Sequence, residues 1–330
     1  SIDRLANDGG SVFLSRGKYY LNETINVKSN IQITGSGRGT ELIINGDKVK
    51  DSGIICQGTN HININNIFIT SENKQVDTGI ILDDCGDCKI NDVYILGFAS
   101  YGIWLRNSSF LCEIRSCRLV DNDKSNIYLD ALLQGRGGDW VPNLISNCII
   151  YGGGKGIELR QAIVINIVGC QLYQTKDIGY HIHSCSNSVL ISGCRTYQLE
   201  KDAVVVDTSH EINISSNIFC WHRGDGIVLK DVKWGSVNAN NIIDTGVRDK
   251  VRRTGIILSE ETKGVQIVGN AIFNWGDQLP MKNGINEDVR CVNNIISNNN
   301  INYCTDNDVV SKGKGTEVKN NVSDKDNAYI

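Results

Sequence analysis

The sequence predicts an all-β chain, a single-domain right-handed parallel β-helix of about ten coils with a short N-terminal cap. Three observations predict it. The 330 residues include 44 Ile, 37 Asn and 34 Gly but only 2 Pro, a β-branched, turn-forming composition. A short phrase, small residue–Ile–x–apolar, recurs down the chain. A second phrase follows most copies of the first at a nearly constant offset.

The first phrase starts at Gly53, Gly79, Gly102, Asn126, Gly156, Gly179, Ala203, Gly226 and Gly255, with a weaker copy at Gly284. Successive starts lie 23 to 30 residues apart. The second phrase reads Ile114-Arg115-Ser116-Cys117, Ile145-Ser146-Asn147-Cys148, Ile167-Val168-Gly169-Cys170 and Ile191-Ser192-Gly193-Cys194. It continues to Asn217, Asn240, Asn270 and Asn299 in place of the cysteine. Both phrases alternate apolar and polar residues and are bounded by Gly, Asn, Asp or Ser, which is the strand signature. A unit this short, holding two or three strands, cannot bury its own apolar face, but a stack of such units can. The leucine-rich repeat shares the period, yet it needs a Leu consensus and a helical segment that are absent here. Coils rising ~4.8 Å each give roughly 50 Å of helix. The expected organisation is a cap and first coil over 1–45, the β-helix over 46–310, and a coil remnant with a polar tail over 311–330.

Composition excludes several classes. Apolar residues make up 40% and charged residues 21%, enough for a packed core. A net charge of -4 argues against a nucleic-acid binder, which needs a basic face. No run approaches roughly 18 apolar residues, so no membrane insertion is expected. Ser1 to Gly10 are polar and carry no signal-peptide pattern.

Twelve cysteines suggest metal or redox chemistry, but four of them share one repeat column: Cys117, Cys148, Cys170 and Cys194. That column begins as Ile67 and Val93 and ends as asparagine, so it reads as an inward corner packed by small side chains. Stacked asparagines can hydrogen-bond from coil to coil. Cys85-x-x-Cys88 is the one CxxC and has no matching pair, so no metal is expected. A disulfide among Cys85, Cys88 and Cys112 stays open.

In the first phrase, positions two and four face inward and positions three and five outward. The outward pairs of the middle coils concentrate polar and aromatic residues. These are Trp104 and Arg106, Tyr128 and Asp130, Glu158 and Arg160, His181 and His183, with Asp207 and Lys230 following. Flanking coils carry Ile and Val there. For any single residue a solvated charge ladder such as Asp130–Arg160 is the simpler reading. The cluster points instead to a groove for a poly- or oligosaccharide, with Trp104, Arg106, Tyr128, His181, Asp139, Trp140 and Lys230 binding substrate. Insertions at Gln134–Pro142, Thr245–Arg253 and Asn274–Met281 would wall it. Glycosidic cleavage by hydrolysis or glycosyl transfer needs two carboxyls, one of them protonated. Asp130 and Glu158 lie roughly 8 Å apart at Cα. Glu158 is the expected acid and Asp130 or Asp207 its partner, with His183 and Arg160 in the catalytic set. The alternative is a lyase acting on a uronic-acid polymer, which needs a base and a cation drawn from Arg106, Arg160, His181, His183 and Lys230. No cofactor is expected except Ca²⁺ in the lyase case, where Asp83, Asp84 and Asp87 are the acids to inspect, although that trio suits a turn. A non-catalytic glycan-binding β-helix is the third reading.

Gly9-Gly10-Ser11-Val12-Phe13-Leu14-Ser15-Arg16-Gly17-Lys18-Tyr19-Tyr20-Leu21 resembles the opening of the pectate-lyase-like superfamily, with Ser15 where proline is usual. Ile31-Gln32-Ile33-Thr34-Gly35-Ser36-Gly37-Arg38-Gly39-Thr40 is similar to its next element. The resemblance implies a capped β-helix and activity on carbohydrate. That superfamily holds glycoside hydrolases, lyases, fructotransferases, epimerases and phage tailspikes, so one activity is not singled out. It further implies a homotrimer and an extracellular or secreted setting, bacterial or phage-associated.

Overall fold

The structure is a computed structural model that describes residues 5, 8–132, 141–246, 252–274 and 281–324. The chain divides into two compact units, Ser1–Asn166 and Ile167–Ile330. Each is an all-β parallel solenoid, as the repeat predicts. Helical structure among the described residues is limited to short 3-10 turns such as Gly37–Gly39. No described helix is long and apolar enough to cross a membrane.

A coil of the first unit consists of three strands, for example Tyr101–Arg106, Glu113–Arg115 and Arg118–Val120. Each strand pairs in parallel with its counterpart one coil away. Tyr101–Arg106 lies between Thr78–Asp83 and Ser125–Leu132, so Ile80, Ile103 and Ile127 align, as do Leu82, Leu105 and Leu129. All six are buried. The second and third strands add rungs of their own, Ile90–Ile114–Ile145 and Ile95–Leu119–Ile150. Stacking like on like lets each rung pack against an identical or similar neighbour. The segments that resemble the superfamily's opening form the first layers: Gly10–Phe13 pairs with Ile31–Thr34, and Gly17–Leu21 with Thr40–Ile44.

The second phrase is the second strand plus its corner. The residue before the column cysteine or asparagine sits in the left-handed region, at φ 54° for Ser116 and 53° for Asn147 in the first unit, and 67° for Gly169 in the second. This explains why that place is restricted to small or turn-forming residues. Cys117 and Cys148 are buried in the first unit, their thiols 3.4 and 3.7 Å from the carbonyl oxygens of Ile90 and Ile114. All twelve cysteines remain reduced thiols. Cys88 is pushed up to about 12 by its hydrogen bond with Cys112 and by burial. Nine of the cysteines are buried and pack the interior, whereas Cys185 is exposed and Cys220 and Cys304 are intermediate.

In the second unit the column becomes a ladder of amides. Asn217, Asn240, Asn270 and Asn299 each donate Nδ2 to the next Oδ1 at 2.9 Å, ending on Asn321. The same Oδ1 atoms accept the preceding backbone N–H at 3.0–3.1 Å. The second amide hydrogen goes to a carbonyl, as from Asn240 to Ile214 at 2.9 Å. Every buried polar atom of a rung is thereby satisfied by another rung.

Candidate functional site

The outward ribbon of the first unit is set by strand alternation. Trp104, Tyr128 and Glu158 are register partners, and so are Asp83, Arg106, Asp130 and Arg160 two residues farther along. The Ile and Leu rungs between them point the other way and lock the strands in place. Much of the ribbon is buried, although Arg160 at its edge is exposed. Ile81 is 0% exposed, Asp83 5%, Tyr128 8% and Glu158 9%, although all point away from the coil interior.

Three rings form its centre. Tyr101 and Tyr128 stack at 4.6 Å, and Trp104 lies 5.9 Å from Tyr128. The Arg106 guanidinium covers the Trp104 ring at 4.4 Å, a cation–π contact. Around the rings each acid meets a cation. Arg106 donates to Asp83 at 3.0 Å, and Asn107 adds a second bond to it at 2.8 Å. Arg160 donates to Asp130 at 2.8 Å, realising the expected ladder. Lys155 donates to Glu158 at 2.7 Å, and the Ser125 hydroxyl donates to its other oxygen. The two phenols beside them are shifted. Burial, then Glu158, pushes Tyr101 up to about 12. Burial, then Asp130, pushes Tyr128 higher still. Both are neutral hydroxyl donors at neutral pH.

Tyr101, Ser125 and Lys155 were not among the predicted residues. They precede the phrase by one position, where alternation assigns an inward side chain, but the chain is turning a corner and the period of two does not hold there. Their mutual register is the signal that would have found them. Asp83 is engaged by Arg106 and Asn107, while Asp84 and Asp87 adopt left-handed φ of 54° and 49°. Asp83 ends the strand Thr78–Asp83, and Asp84 and Asp87 lie in the turn that follows.

His181, His183, Asp207 and Lys230 lie in the second unit. His181 and His183 stack ring on ring at 4.3 Å, and His183 Nδ1 is 2.8 Å from Ser184 Oγ. Asp207 accepts a hydrogen bond from Thr208 at 2.9 Å and has Lys230 as its register partner. Asp139 and Trp140 lie outside the described residues, as do the central parts of the other two insertions.

Comparisons with known proteins bear on the fold. The family model of the right-handed beta helix region matches residues 78–272. Among solved structures, the A-module of the mannuronan C-5 epimerase AlgE6 of Azotobacter vinelandii superposes with a TM-score of 0.82 at 13% identity, covering 99% of this chain and 94% of that one. The periplasmic alginate epimerase AlgG gives 0.67 at 14% identity, covering 96% and 84%. A tailspike protein of an Escherichia coli bacteriophage, in complex with a pentasaccharide, gives 0.66 at 12%, covering 91% and 66%. A search of curated proteins finds no match.

Proposed function

The chain belongs to the right-handed β-helix family, and we propose that it is a carbohydrate-active enzyme whose first-unit ribbon acts on a uronic-acid polysaccharide by proton transfer. One observation carries this reading. Each ribbon carboxylate is held by a cation, while Tyr101 and Tyr128 are held as neutral phenols. The ribbon therefore offers cation-paired carboxylates beside phenol donors. Glycoside hydrolysis needs a protonated carboxylic acid. Removal of the proton beside a uronate carboxylate needs a base, a cation to stabilise the developing enolate, and an acid to return or deliver a proton. Glu158 suits the base, Lys155 and Arg106 the cations, and Tyr128 the acid, so Glu158 changes from the proton donor expected from sequence to a proton acceptor. After abstraction at C5, reprotonation from the other face gives epimerisation. Loss of the C4–O bond, with Tyr128 protonating the leaving oxygen, gives β-elimination. The similarity to epimerase structures supports this chemistry, and the partly exposed rings of Tyr101 and Trp104 suit sugar faces. A polysaccharide substrate also implies work outside the cytoplasm.

Hydrolysis or glycosyl transfer is the second reading. The adjacent-coil placement of Asp130 and Glu158 favours it, because it provides a carboxyl pair across one site. Incubation with alginate and with polygalacturonate in D₂O separates the two. Proton abstraction puts deuterium at C5 or produces an unsaturated uronide, whereas hydrolysis produces only new reducing ends. If neither deuterium nor unsaturation appears on either polymer while reducing ends do, the proton-transfer reading is wrong.

A further inference from the structure

In the second unit the strands Gln171–Tyr173, Arg195–Tyr197 and Ile218–His222 stack in register. Leu172, Thr196 and Phe219 face the interior and are buried. Tyr173 and Tyr197 take the opposite side, edge to face at 6.5 Å. Trp221 lies nearly parallel to Tyr197, at 5.4 Å and 22°. Just past the tyrosines the backbone turns left-handed, at φ 52° for Gln174 and 56° for Gln198, and Trp221 occupies the same place on the next rung at 59°. Left-handed corners recur through the described chain, at Val164 and Trp234 among others, so what sets this corner apart is the ring laid flat beside Tyr197.

Beside the rings opens a cleft of about 560 Å³ lined by Gln174, Lys176, Gln198 and Glu200. Gln174 donates to Gln198 Oε1 at 2.9 Å, which leaves the Gln198 amide hydrogens for another acceptor among the described residues. The charges nearby are compensated in place: Arg223 with Glu200 at 2.5 Å and Lys201 with Asp177 at 3.0 Å. These are exposed surface pairs, and the groups the cleft and its rings offer are amides, a phenol, an indole and ring surface, with the Lys176 ammonium as a further donor. None of the three rings is among the strongly exposed apolar side chains, unlike Trp234 at 57% or Val289 at 68%, so the face is not an apolar docking surface. Aromatic rings beside paired amides match a polyhydroxylated, uncharged chain.

We propose that this cleft is a second glycan site, which holds a neutral stretch of polysaccharide through Trp221, Tyr197 and the Gln174–Gln198 pair. It stands independently of the chemistry assigned to the first unit. Affinity electrophoresis of the full chain through gels containing dextran, galactomannan or xyloglucan, with alginate alongside, tests it. The wild type is expected to be retarded by at least one neutral polymer. Trp221→Ala and Gln198→Ala should each weaken that retardation about fivefold, as for loss of one ring or one amide contact. Deuterium incorporation into alginate should be unchanged in both. Should Trp221→Ala alter the thermal melt, Gln198→Ala carries the test through an exposed amide. Migration of the wild type without retardation in all three neutral gels would overturn the proposal, and so would wild-type retardation of both variants. Failure of the proton-transfer reading would remove the alginate signal and leave the retardation intact.

Discussion

The Asn217–Asn321 column of the second unit and the Asp83–Glu158 ribbon of the first solve one problem in two ways. Both bury polar groups. In the column every rung is the same residue, so each amide is donor to one neighbour and acceptor from the other, and the pattern can continue indefinitely. In the ribbon no two adjacent rungs are alike: Ile81, Trp104, Tyr128 and Glu158 follow one another in a single register. Its charges are satisfied pairwise, by partners found once. Repetition in a solenoid reports stability, because each rung only needs its neighbour. A polar stretch that abandons repetition needs another explanation, and chemistry is the one proposed for the ribbon.

The largest expected effect tests that contrast directly. Glu158→Gln should lower turnover on the true substrate by about 10²-fold or more, the usual worth of a positioned acid or base, with little change in the melting curve. Full activity in the variant would make the ribbon structural after all. Next comes the column. Asn240→Leu strands the Asn217 amide and backbone N–H that both pointed at Asn240 Oδ1, and should cost about 3 kcal/mol by chemical denaturation. A loss below 1 kcal/mol, roughly one bond's worth, would show that water replaces the missing rung.

His222 is a polar residue inside the second unit, in register with Thr245 on the next coil. It is fully buried, bonded through Nε2 to Thr196 at 2.8 Å, and burial pushes its pKa down to about 3. The unfolded chain binds a proton near pH 6.5, whereas the folded one does not. Stability should therefore be constant above about pH 6.5 and fall by up to about 1.4 kcal/mol per pH unit below it. His222→Gln should flatten that slope in a denaturation series from pH 7 to pH 4. An unchanged slope would assign the acid sensitivity to other groups. The smallest effect belongs to the thiols. Cys117→Ser should cost about 1 kcal/mol, because its neighbouring carbonyls can accept from the hydroxyl. A much larger loss would mean that sulfur packing matters more than the comparison implies.

The repeat itself was legible in the sequence because its period is enforced rung by rung: a coil that lost its Ile or Leu would leave a hole against two neighbours. Alternation placed Trp104, Arg106, Tyr128, Asp130, Glu158 and Arg160 on one face, and the Cys-to-Asn column inside. The partner of Glu158 could not be read that way. The sequence offered Arg160, two residues along the same strand, whereas the lysine that reaches the carboxylate is Lys155, at a corner where alternation lapses. Tyr101 was hidden for the same reason. Sequence by itself therefore determined the coil, its stacking and which side of each strand faces out, since these follow from local period and burial. Only the tertiary structure decided which charges meet and that much of an outward ribbon is nonetheless buried. Those facts depend on corner geometry and on side-chain reach between coils, neither of which has a period to read.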